Sequence, residues 1–286
     1  MKRAYAESLG GRACRLDLSY PCMMGILNVT PDSFSDGGSF CSVDAAVQQG
    51  LKMQSEGAGV IDIGGESTRP GAQPVSAEEE LERVVPVIER LRQVTDLPLS
   101  IDTSKALVAR EAIAAGANFI NDISGLFFDA KMAETAAETG AGLFLMHTRG
   151  RPDAMQKNTV YVDLLAEVIE SLRQSIAIAL KAGVKASQLA VDPGIGFGKS
   201  VVGNLELLHH LADMHQLNCP ILLGTSRKSF IGKVTAQDSP LERLPGTLAT
   251  IALGVSHGVQ LFRVHDVRQA REAATVAWAI REQRLP

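Results

Sequence analysis

Eight short apolar segments, each followed by polar residues and then by a helix pattern, constrain the fold of this 286-residue chain. Short apolar segments that alternate with helix patterns predict parallel strands joined by crossover helices. Eight such units predict a single-domain (β/α)8 TIM barrel spanning residues 1–286. The predicted strands are 23–29, 59–65, 97–101, 119–123, 142–146, 189–191, 220–224 and 259–262.

An open, doubly wound parallel sheet is the structural alternative. The barrel is favoured because the segments number eight and no Gly-x-Gly-x-x-Gly sequence follows the first one. Residues 16–19 precede the first strand and predict a short lead-in hairpin that plugs one end of the barrel. Two helix starts are also predicted, at Ser42 as an N-cap and at Ser76-Ala-Glu-Glu79 as a capping box.

Composition excludes several classes of protein. Apolar residues make up 45% of the chain and charged residues 21%, which suits one large core. The net charge of −4 argues against a nucleic-acid-binding protein, which needs a basic face. The four cysteines lack metal-site spacing, and we find no apolar segment of membrane-spanning length and no signal-peptide pattern. We therefore expect a cytoplasmic protein with free thiols.

Polar side chains follow all eight predicted strands, at the end of the barrel where such enzymes hold their active sites. Singly, some have structural explanations: Asp102 could cap a helix, His147 could be a core histidine, and Arg227 could point to solvent or to a helix end. Core packing does not require polar groups after every strand, so together they predict an active site. They are Asn28, Asp36, Asp62, Thr68, Arg69, Asp102, Asn121, Asp122, His147, Asp192, Ser226, Arg227, Lys228, Ser229, Arg263 and His265.

Two kinds of group separate within this set. Asp102, Asn121 and Asp192 offer acceptors that suit a flat, donor-rich heterocycle such as a pterin or a purine. Lys228 after the seventh strand and Arg263 after the eighth are cations where barrels often bind phosphate, and His265 lies beside them.

Asn28 and the acidic loop behind it suit a divalent ion shared with phosphate oxygens. A ring pocket beside an anion pocket predicts a ligand in which a heterocycle carries a diphosphate.

Residues 24–38, MGILNVTPDSFSDGG, and 62–71, DIGGESTRPG, resemble the two signature stretches of the dihydropteroate synthase family. The similarity continues over essentially the whole chain, through 100–105, 120–123, 145–147, 192–199, 226–229 and 263–266. The resemblance implies a barrel that condenses 6-hydroxymethyl-7,8-dihydropterin diphosphate with 4-aminobenzoate in folate biosynthesis. It also implies a homodimer.

The resemblance further implies three subsites, a Mg²⁺ ion held in part by Asn28, and a catalytic group. The pterin residues would be Asp102, Asn121, Met146, Asp192, Phe197 and Lys228. The diphosphate residues would be Asn28, Thr68, Arg263, Val264 and His265. The aminobenzoate residues would be Thr30, Phe34, Arg69, Pro70 and Ser229. The catalytic residues would be Asp102, Lys228, Arg263 and His265.

The chemistry of the substrates agrees with this assignment. Positive charge develops on the pterin as diphosphate leaves, and the Asp102 carboxylate would stabilise that charge. The arylamine is already neutral, so no nucleophile–base pair is required. Phe34 and Pro70 are the residue types that the resemblance associates with sulfonamide sensitivity, so sulfonamides are expected inhibitors.

Three rival functions remain open at this point. A pterin-dependent methyltransferase would share the pterin contacts but would not need the cations after strands seven and eight. A non-catalytic pterin-binding paralogue would usually have lost some loop residues. A Schiff-base aldolase would use Lys228 or Lys105. Arg149 and Arg151, in a loop that varies in the family, receive no role.

Overall fold

The computed structural model describes residues 7–30, 38–68 and 71–285, with the backbone alone for 38–42. Strands and helices alternate through these ranges as predicted. The strands are β1 Ser8–Gly11, β2 Cys14–Asp17, β3 Cys22–Asn28, β4 Val60–Gly64, β5 Leu99–Asp102, β6 Phe119–Asp122, β7 Gly142–Met146, β8 Leu189–Asp192, β9 Leu222–Leu223 and β10 Leu261–Val264. The helices are α1 Gly38–Ser55, α2 Ala77–Arg92, α3 Ala106–Ala115, α4 Met132–Thr139, α5 Leu164–Ala182, α6 Val201–His209, α7 Ser229–Thr235, α8 Leu244–Ser256 and α9 Val267–Glu282.

Strands β3 to β10 form one parallel sheet that closes on itself. Their order is β8-β7-β6-β5-β4-β3-β10-β9. Val191 of β8 pairs with Ile221, next to β9, and the Val191 amide donates to the Pro220 carbonyl at 2.9 Å. The eight-stranded barrel is therefore confirmed, and the open sheet is excluded.

The hairpin of β1 and β2 covers the amino-terminal end of the barrel. Leu9 of β1 packs in one buried cluster with Phe119 and Phe144 from β6 and β7. The hairpin backbone approaches β7 so closely that a Cβ atom on Gly142 would lie 2.4 Å from the Gly10 carbonyl oxygen. The predicted plug is confirmed, and glycine is required at 142 for this approach.

Most barrel strands bury both faces. Side chains such as Ile61, Ile101 and Val191 face the surrounding helices in the main hydrophobic core. Their neighbours Val60 and Ala190 belong to the smaller cluster that includes the hairpin. Strands buried on both sides explain why the sequence shows apolar runs instead of alternation.

Several element boundaries differ from the predictions. Helix α1 begins at Gly38, so Ser42 lies inside it and the predicted cap is wrong. Short polar residues precede the apolar stripe at several positions, so the pattern does not determine which one starts the helix. The predicted cap of α2 is confirmed, because the Glu79 amide donates to Ser76 Oγ at 3.1 Å. Helix α7, Ser229–Thr235, has no counterpart among the sequence predictions.

Cys14, Cys22 and Cys219 are free thiols, as expected. Within the described ranges, no helix combines the length and apolar character needed to cross a bilayer.

Candidate active site

Inward-facing side chains change from apolar to polar along the barrel strands. Val60 in β4 and Phe119 in β6 belong to the smaller apolar cluster, which also includes the hairpin. Asp62 and Asn121 stand two residues further along the same strands. Because side chains two apart in a strand face the same side, these polar groups point into the barrel above the apolar layer.

Arg263 of β10 binds two buried carboxylates. Its Nε donates to Asp62 Oδ2 and its Nη2 donates to Asp102 Oδ2, both at 2.6 Å. Asn121 Nδ2 donates to the same Asp62 oxygen at 2.9 Å, which leaves the amide oxygen of Asn121 as an acceptor. Two carboxylates against one guanidinium leave one negative charge, so the group favours a ligand that brings N–H donors or positive charge.

Asp102 is the carboxylate best placed to receive such a ligand. It is 5% exposed, and neither its Oδ1 nor that of Asp62 has a hydrogen-bond partner among the described residues. Burial raises the pKa of Asp102 to about 7, and the charge of Arg263 opposes this increase. A buried acceptor without a partner is costly, and a donor on a bound ring would relieve that cost.

Asp192 stands at the end of β8, which β6 and β7 separate from Asp102 at the end of β5. Its Oδ1 accepts a hydrogen bond from the Gly194 amide at 2.6 Å. Gly194 has φ +69°, and a Cβ there would lie 1.8 Å from the His147 carbonyl oxygen. Burial raises the pKa of Asp192, and Lys228 opposes the increase. The loop is therefore wrapped closely around this acceptor.

Lys228 and Phe197 lie next to the acceptor carboxylates of the site. The Lys228 amine donates to the Ile195 carbonyl and lies 4.6 Å from the centre of the Phe197 ring. Burial lowers the pKa of Lys228 to about 8, and Asp192 opposes the decrease. Met146, at the end of β7, is buried. A ring and a cation next to the acceptors suit a flat, electron-rich heterocycle.

His265 lies one residue beyond β10 and is held from the loop after β9. Its Nδ1 lies 2.9 Å from Ser226 Oγ, and its backbone amide donates to the same oxygen at 3.2 Å. The hydroxyl of Ser226 thus fixes both the ring and the backbone of a predicted anion-binding residue.

Arg227 does not point into solvent. Its Nε and Nη2 donate to the two oxygens of Asp266, at 3.0 and 2.6 Å. Asp266 directly precedes α9. Of the two predicted directions for Arg227, the one toward a helix end is therefore correct. The pair links the loop that carries Lys228 to the loop that carries His265.

The other predicted diphosphate residues differ in which of their atoms a ligand can reach. Asn28 and Asp102 flank Gly64, where a Cβ would lie 3.8 Å from Asn28 Oδ1 and 3.5 Å from Asp102 Cβ. Thr68 is partly buried. The side chain of Val264 is 1% exposed and faces the main core between strands and helices. Only the backbone of Val264 is therefore available to a ligand.

The predicted aminobenzoate residues are described only in part. Thr30 is partly buried just after β3, and Ser229 is exposed as the first residue of α7. Phe34, Arg69 and Pro70 lie outside the described residues, as does Asp36.

A cavity of about 250 Å³ opens beside Asp102, between the loops after β4, β5, β6 and β7. Thr68 and Lys105 line it together with Asp102, and Arg151 and Phe128 also contribute to its wall. The Arg151 guanidinium lies 4.5 Å from the centre of the Phe128 ring.

Several polar residues at the mouth are internal supports. The Lys199 amine lies 2.8 Å from His147 Nδ1 and donates to the carbonyls of His147 and Phe197. Asp122 accepts hydrogen bonds from the amides of Ser124 and Leu126, both at 2.8 Å. The supporting role of Lys199 is absent from the sequence predictions, although a lysine at the end of a glycine-rich loop is a signal for such a role.

Asp62 belongs to the predicted active-site set, although no subsite is assigned to it from the sequence. The structure makes it the partner of Arg263 and of Asn121. Arg149 donates to Glu167 at 2.6 Å and lies 3.7 Å from the centre of the Tyr161 ring, which makes it a support for its own loop.

No cluster of three or more histidine, cysteine, aspartate or glutamate side chains suited to a metal occurs within the described ranges. Asn28 offers one amide oxygen at the mouth. Mg²⁺ usually binds through one or two carboxylates together with substrate phosphates and waters, so this oxygen could supply one ligand and the Mg²⁺ site stays a prediction.

Comparisons with known proteins agree with this geometry. The family model described as "Pterin binding enzyme" matches residues 24–265. The chain is 48% identical to the dihydropteroate synthase of Escherichia coli K12 over 92% of this chain and 93% of the relative. It is 49% identical to the dihydropteroate synthase of Bacillus subtilis over 88% of this chain and 86% of the relative.

Solved structures give the same result. Xanthomonas albilineans dihydropteroate synthase with 4-aminobenzoic acid superposes with a TM-score of 0.91 at 45% identity, covering 98% of this chain and all of that chain. The Yersinia pestis enzyme in complex with a sulfonamide drug superposes with a TM-score of 0.90 at 46% identity, covering 96% of this chain and 99% of that chain. The chain therefore belongs to the pterin binding enzyme family and, within it, to the dihydropteroate synthases.

Proposed function

We propose that this protein condenses 6-hydroxymethyl-7,8-dihydropterin diphosphate with 4-aminobenzoate, giving 7,8-dihydropteroate and diphosphate. The observation that carries the proposal is the meeting of buried acceptors and cations in one barrel mouth. Asp102, with its unpartnered oxygen, contacts Arg263 directly, and Asp192 lies near Lys228. A ligand that joins a donor-rich ring to an anion satisfies both groups. The Xanthomonas albilineans relative is known in complex with 7,8-dihydropteroate.

The pterin ring binds through its N–H groups and its flat faces. Asp102 and Asp192 accept from ring donors, and the free amide oxygen of Asn121 adds a third acceptor. Phe197 and Lys228 cover one face of the ring, with Met146 beside it.

Bond breaking separates charge. The bond from the pterin methylene carbon to the diphosphate oxygen breaks and leaves positive charge on the ring. Asp102, already desolvated, stabilises that charge without having to reorganise. Arg263 and His265, with Lys228 near them, stabilise the departing anion through charge-assisted hydrogen bonds.

Bond formation completes the reaction. The aminobenzoate nitrogen forms a bond to the methylene carbon and then loses one proton. The arylamine is neutral at working pH, so the site does not need a dedicated base to activate it. Ser229 and Thr30, at the described edge of the mouth, would contact the benzoate together with Phe34, Arg69 and Pro70.

Mg²⁺ is part of the proposal. Asn28 would supply one oxygen ligand, and the bound ion would neutralise phosphate oxygens of the leaving group. Loss of activity in chelator, restored by added Mg²⁺, would support this assignment, and full activity in chelator would contradict it.

Sulfonamides are proposed inhibitors that compete with 4-aminobenzoate. The Yersinia pestis relative binds such a drug, and the two chains share 46% of their residues. Inhibition that weakens as the aminobenzoate concentration rises is the expected pattern. Normal turnover in saturating drug would contradict it.

Diphosphate release tests the reaction itself. The purified protein is incubated with the pterin diphosphate and Mg²⁺, with and without 4-aminobenzoate. Release that requires aminobenzoate and yields dihydropteroate is the expected result. Tight pterin binding without release would instead favour the methyltransferase or the non-catalytic paralogue.

A homodimer and a cytoplasmic location complete the proposal. The resemblance supports the dimer, and exposed apolar side chains on the helices after β8 offer surface for it: Val202 on α6 is 72% exposed and Ile280 on α9 is 72% exposed. Light scattering should give twice the chain mass. Cell fractionation should place the activity with the cytoplasmic proteins.

A further inference from the structure

A three-residue charge network lies beside the proposed reaction centre. Lys105 contacts the carboxylate of Glu66 and lies 2.5 Å from that of Glu80. Glu66 is in the loop after β4, Glu80 is in α2, and Lys105 stands between β5 and α3. One ammonium group therefore joins three separate elements of the barrel.

The network is largely shielded from water. The Glu80 side chain is fully buried, and the side chains of Lys105 and Glu66 are only 25% and 22% exposed. Burial raises the pKa of Glu80, whereas the hydrogen bonds from Lys105 oppose the increase. Charge pairs with this degree of shielding are much less weakened by salt than exposed surface pairs.

The β4 loop is held on one side by α2. Arg83 Nη1 donates to the Gly65 carbonyl at 2.7 Å. A Cβ on Gly65 would lie 2.8 Å from Val84 Cγ1, so the backbone packs directly on the helix. These contacts hold the start of the loop in place, and the next residue, Glu66, is held by its ion pair with Lys105. Thr68 lies two residues beyond Glu66.

The same residues line the cavity beside Asp102. Glu66, Thr68, Glu80 and Lys105 all contribute to its wall. The network therefore borders the same space as Thr68 and Asp102, and Lys105 follows Asp102 by only three residues.

We propose that Lys105 is a positioning residue of this enzyme: through Glu66 it holds the 66–68 segment against the end of β5, so that Thr68 faces the diphosphate of the substrate. The inference rests on the proposed function for the identity of that substrate. Lys105 touches neither reacting atom, and its effect passes through Glu66.

Glu66→Gln is the sharpest test, because it removes the charge on the loop side and leaves the buried Lys105–Glu80 pair in place. We expect the Kd for the pterin diphosphate, measured by calorimetry without aminobenzoate, to rise about tenfold. The Kd for 6-hydroxymethylpterin, which lacks the diphosphate, should stay within about twofold of the wild-type value, a split that general loosening of the fold would not produce.

Glu138→Gln is the matched control. Like Glu66, Glu138 pairs with a cationic side chain, here Arg110 at 2.6 Å, but on the exposed surface between α3 and α4. Equal diphosphate affinity in Glu66→Gln and Glu138→Gln would overturn the proposal, and so would an equal loss of affinity for both pterin ligands in Glu66→Gln.

Lys105 itself is tested by rescue. Lys105→Met should weaken diphosphate binding at least as much as Glu66→Gln, and adding Glu66→Gln to it should cause little further loss. Lys105→Arg should recover most of the affinity, and additive losses in the double variant would overturn the proposal. Turnover of the wild-type protein is measured separately, and an inactive wild type would refute the proposed function. The affinities of the variants test the positioning role of Lys105.

Discussion

Arg263 Nη2 lies 2.6 Å from Asp102 Oδ2, although their strands β10 and β5 are separated in the barrel by β3 and β4. The cation assigned to the leaving group therefore contacts the carboxylate assigned to the pterin cation directly. The charge of Arg263 opposes the increase that burial causes in the pKa of Asp102. Diphosphate binding at Arg263 would weaken that effect, so the two halves of the site are electrostatically coupled.

Asp102→Asn should lower turnover by about 100-fold, because the neutral amide cannot stabilise the developing pterin cation. Diphosphate affinity should change by less than about threefold, since Arg263 keeps its contact with Asp62. Single-turnover kinetics and calorimetry measure the two quantities. Asp213→Asn, at an exposed aspartate paired with His210, is the control. Unchanged turnover in Asp102→Asn would show that the carboxylate has no such role.

The pH dependence of kcat/KM should be bell-shaped. Asp102 must lose its proton to act as a carboxylate, so activity should rise through its pKa of about 7. Lys228 must keep its proton to stabilise the anion, so activity should fall through its pKa of about 8. Because the groups share one site, the two limbs report apparent values of the whole cluster.

Lys228→Arg separates the two limbs. Arginine stays protonated throughout this pH range, so the alkaline limb should disappear and the acid limb should remain. An alkaline limb that persists unchanged in Lys228→Arg would assign that limb to another group.

The sequence predicts the barrel because most of its strands are buried on both faces and therefore appear as apolar runs between helix patterns. It also predicts which residues reach the mouth, since polar side chains at strand ends such as Asp102 and Asp192 have no place in a core. Contacts between distant residues are different. No spacing rule links Arg227 to Asp266, or Lys105 to Glu80, because these pairs depend on how neighbouring loops pack.

The direction of a side chain is also only partly encoded. Val264 lies in a motif that resembles the family, between Arg263 and His265 in sequence. The alternation along β10 nevertheless turns its side chain outward into the main core. The chain forms α7 from Ser229, at a position where the sequence pattern does not predict a helix. A seven-residue helix is too short to show a clear apolar period in sequence.

Asp266→Asn should test the link between the last two loops. Losing one oxygen of the paired contact with Arg227 loosens the loop that carries Lys228, so KM for the pterin diphosphate should rise about tenfold. The loss of unfolding free energy should stay near 1 kcal/mol, because both side chains are partly exposed to water. Steady-state kinetics and urea unfolding provide the two values.

Arg227→Met completes a double-mutant cycle with Asp266→Asn. If the pair acts as one unit, the double variant should bind little worse than Arg227→Met alone. Fully additive effects on KM would mean that the two residues act independently.

His147 should make the fold less stable in mild acid. Burial, aided by Lys199, lowers the pKa of His147 from 6.5 to about 2. Below pH 6.5 the unfolded chain therefore binds a proton that the folded chain does not, so stability falls as the pH falls. Between pH 7 and pH 5 this residue should account for about 2 kcal/mol of lost unfolding free energy.

His147→Asn isolates this contribution, because its amide oxygen can still accept from Lys199 but does not titrate. Urea unfolding at pH 7 and pH 5 should show a loss for the wild type that exceeds the loss for the variant by about 2 kcal/mol. In Lys199→Met most of the wild-type loss should persist, since burial is the larger cause of the shift. Equal acid sensitivity in the wild type and His147→Asn would mean that His147 is protonated at pH 5 in the folded protein.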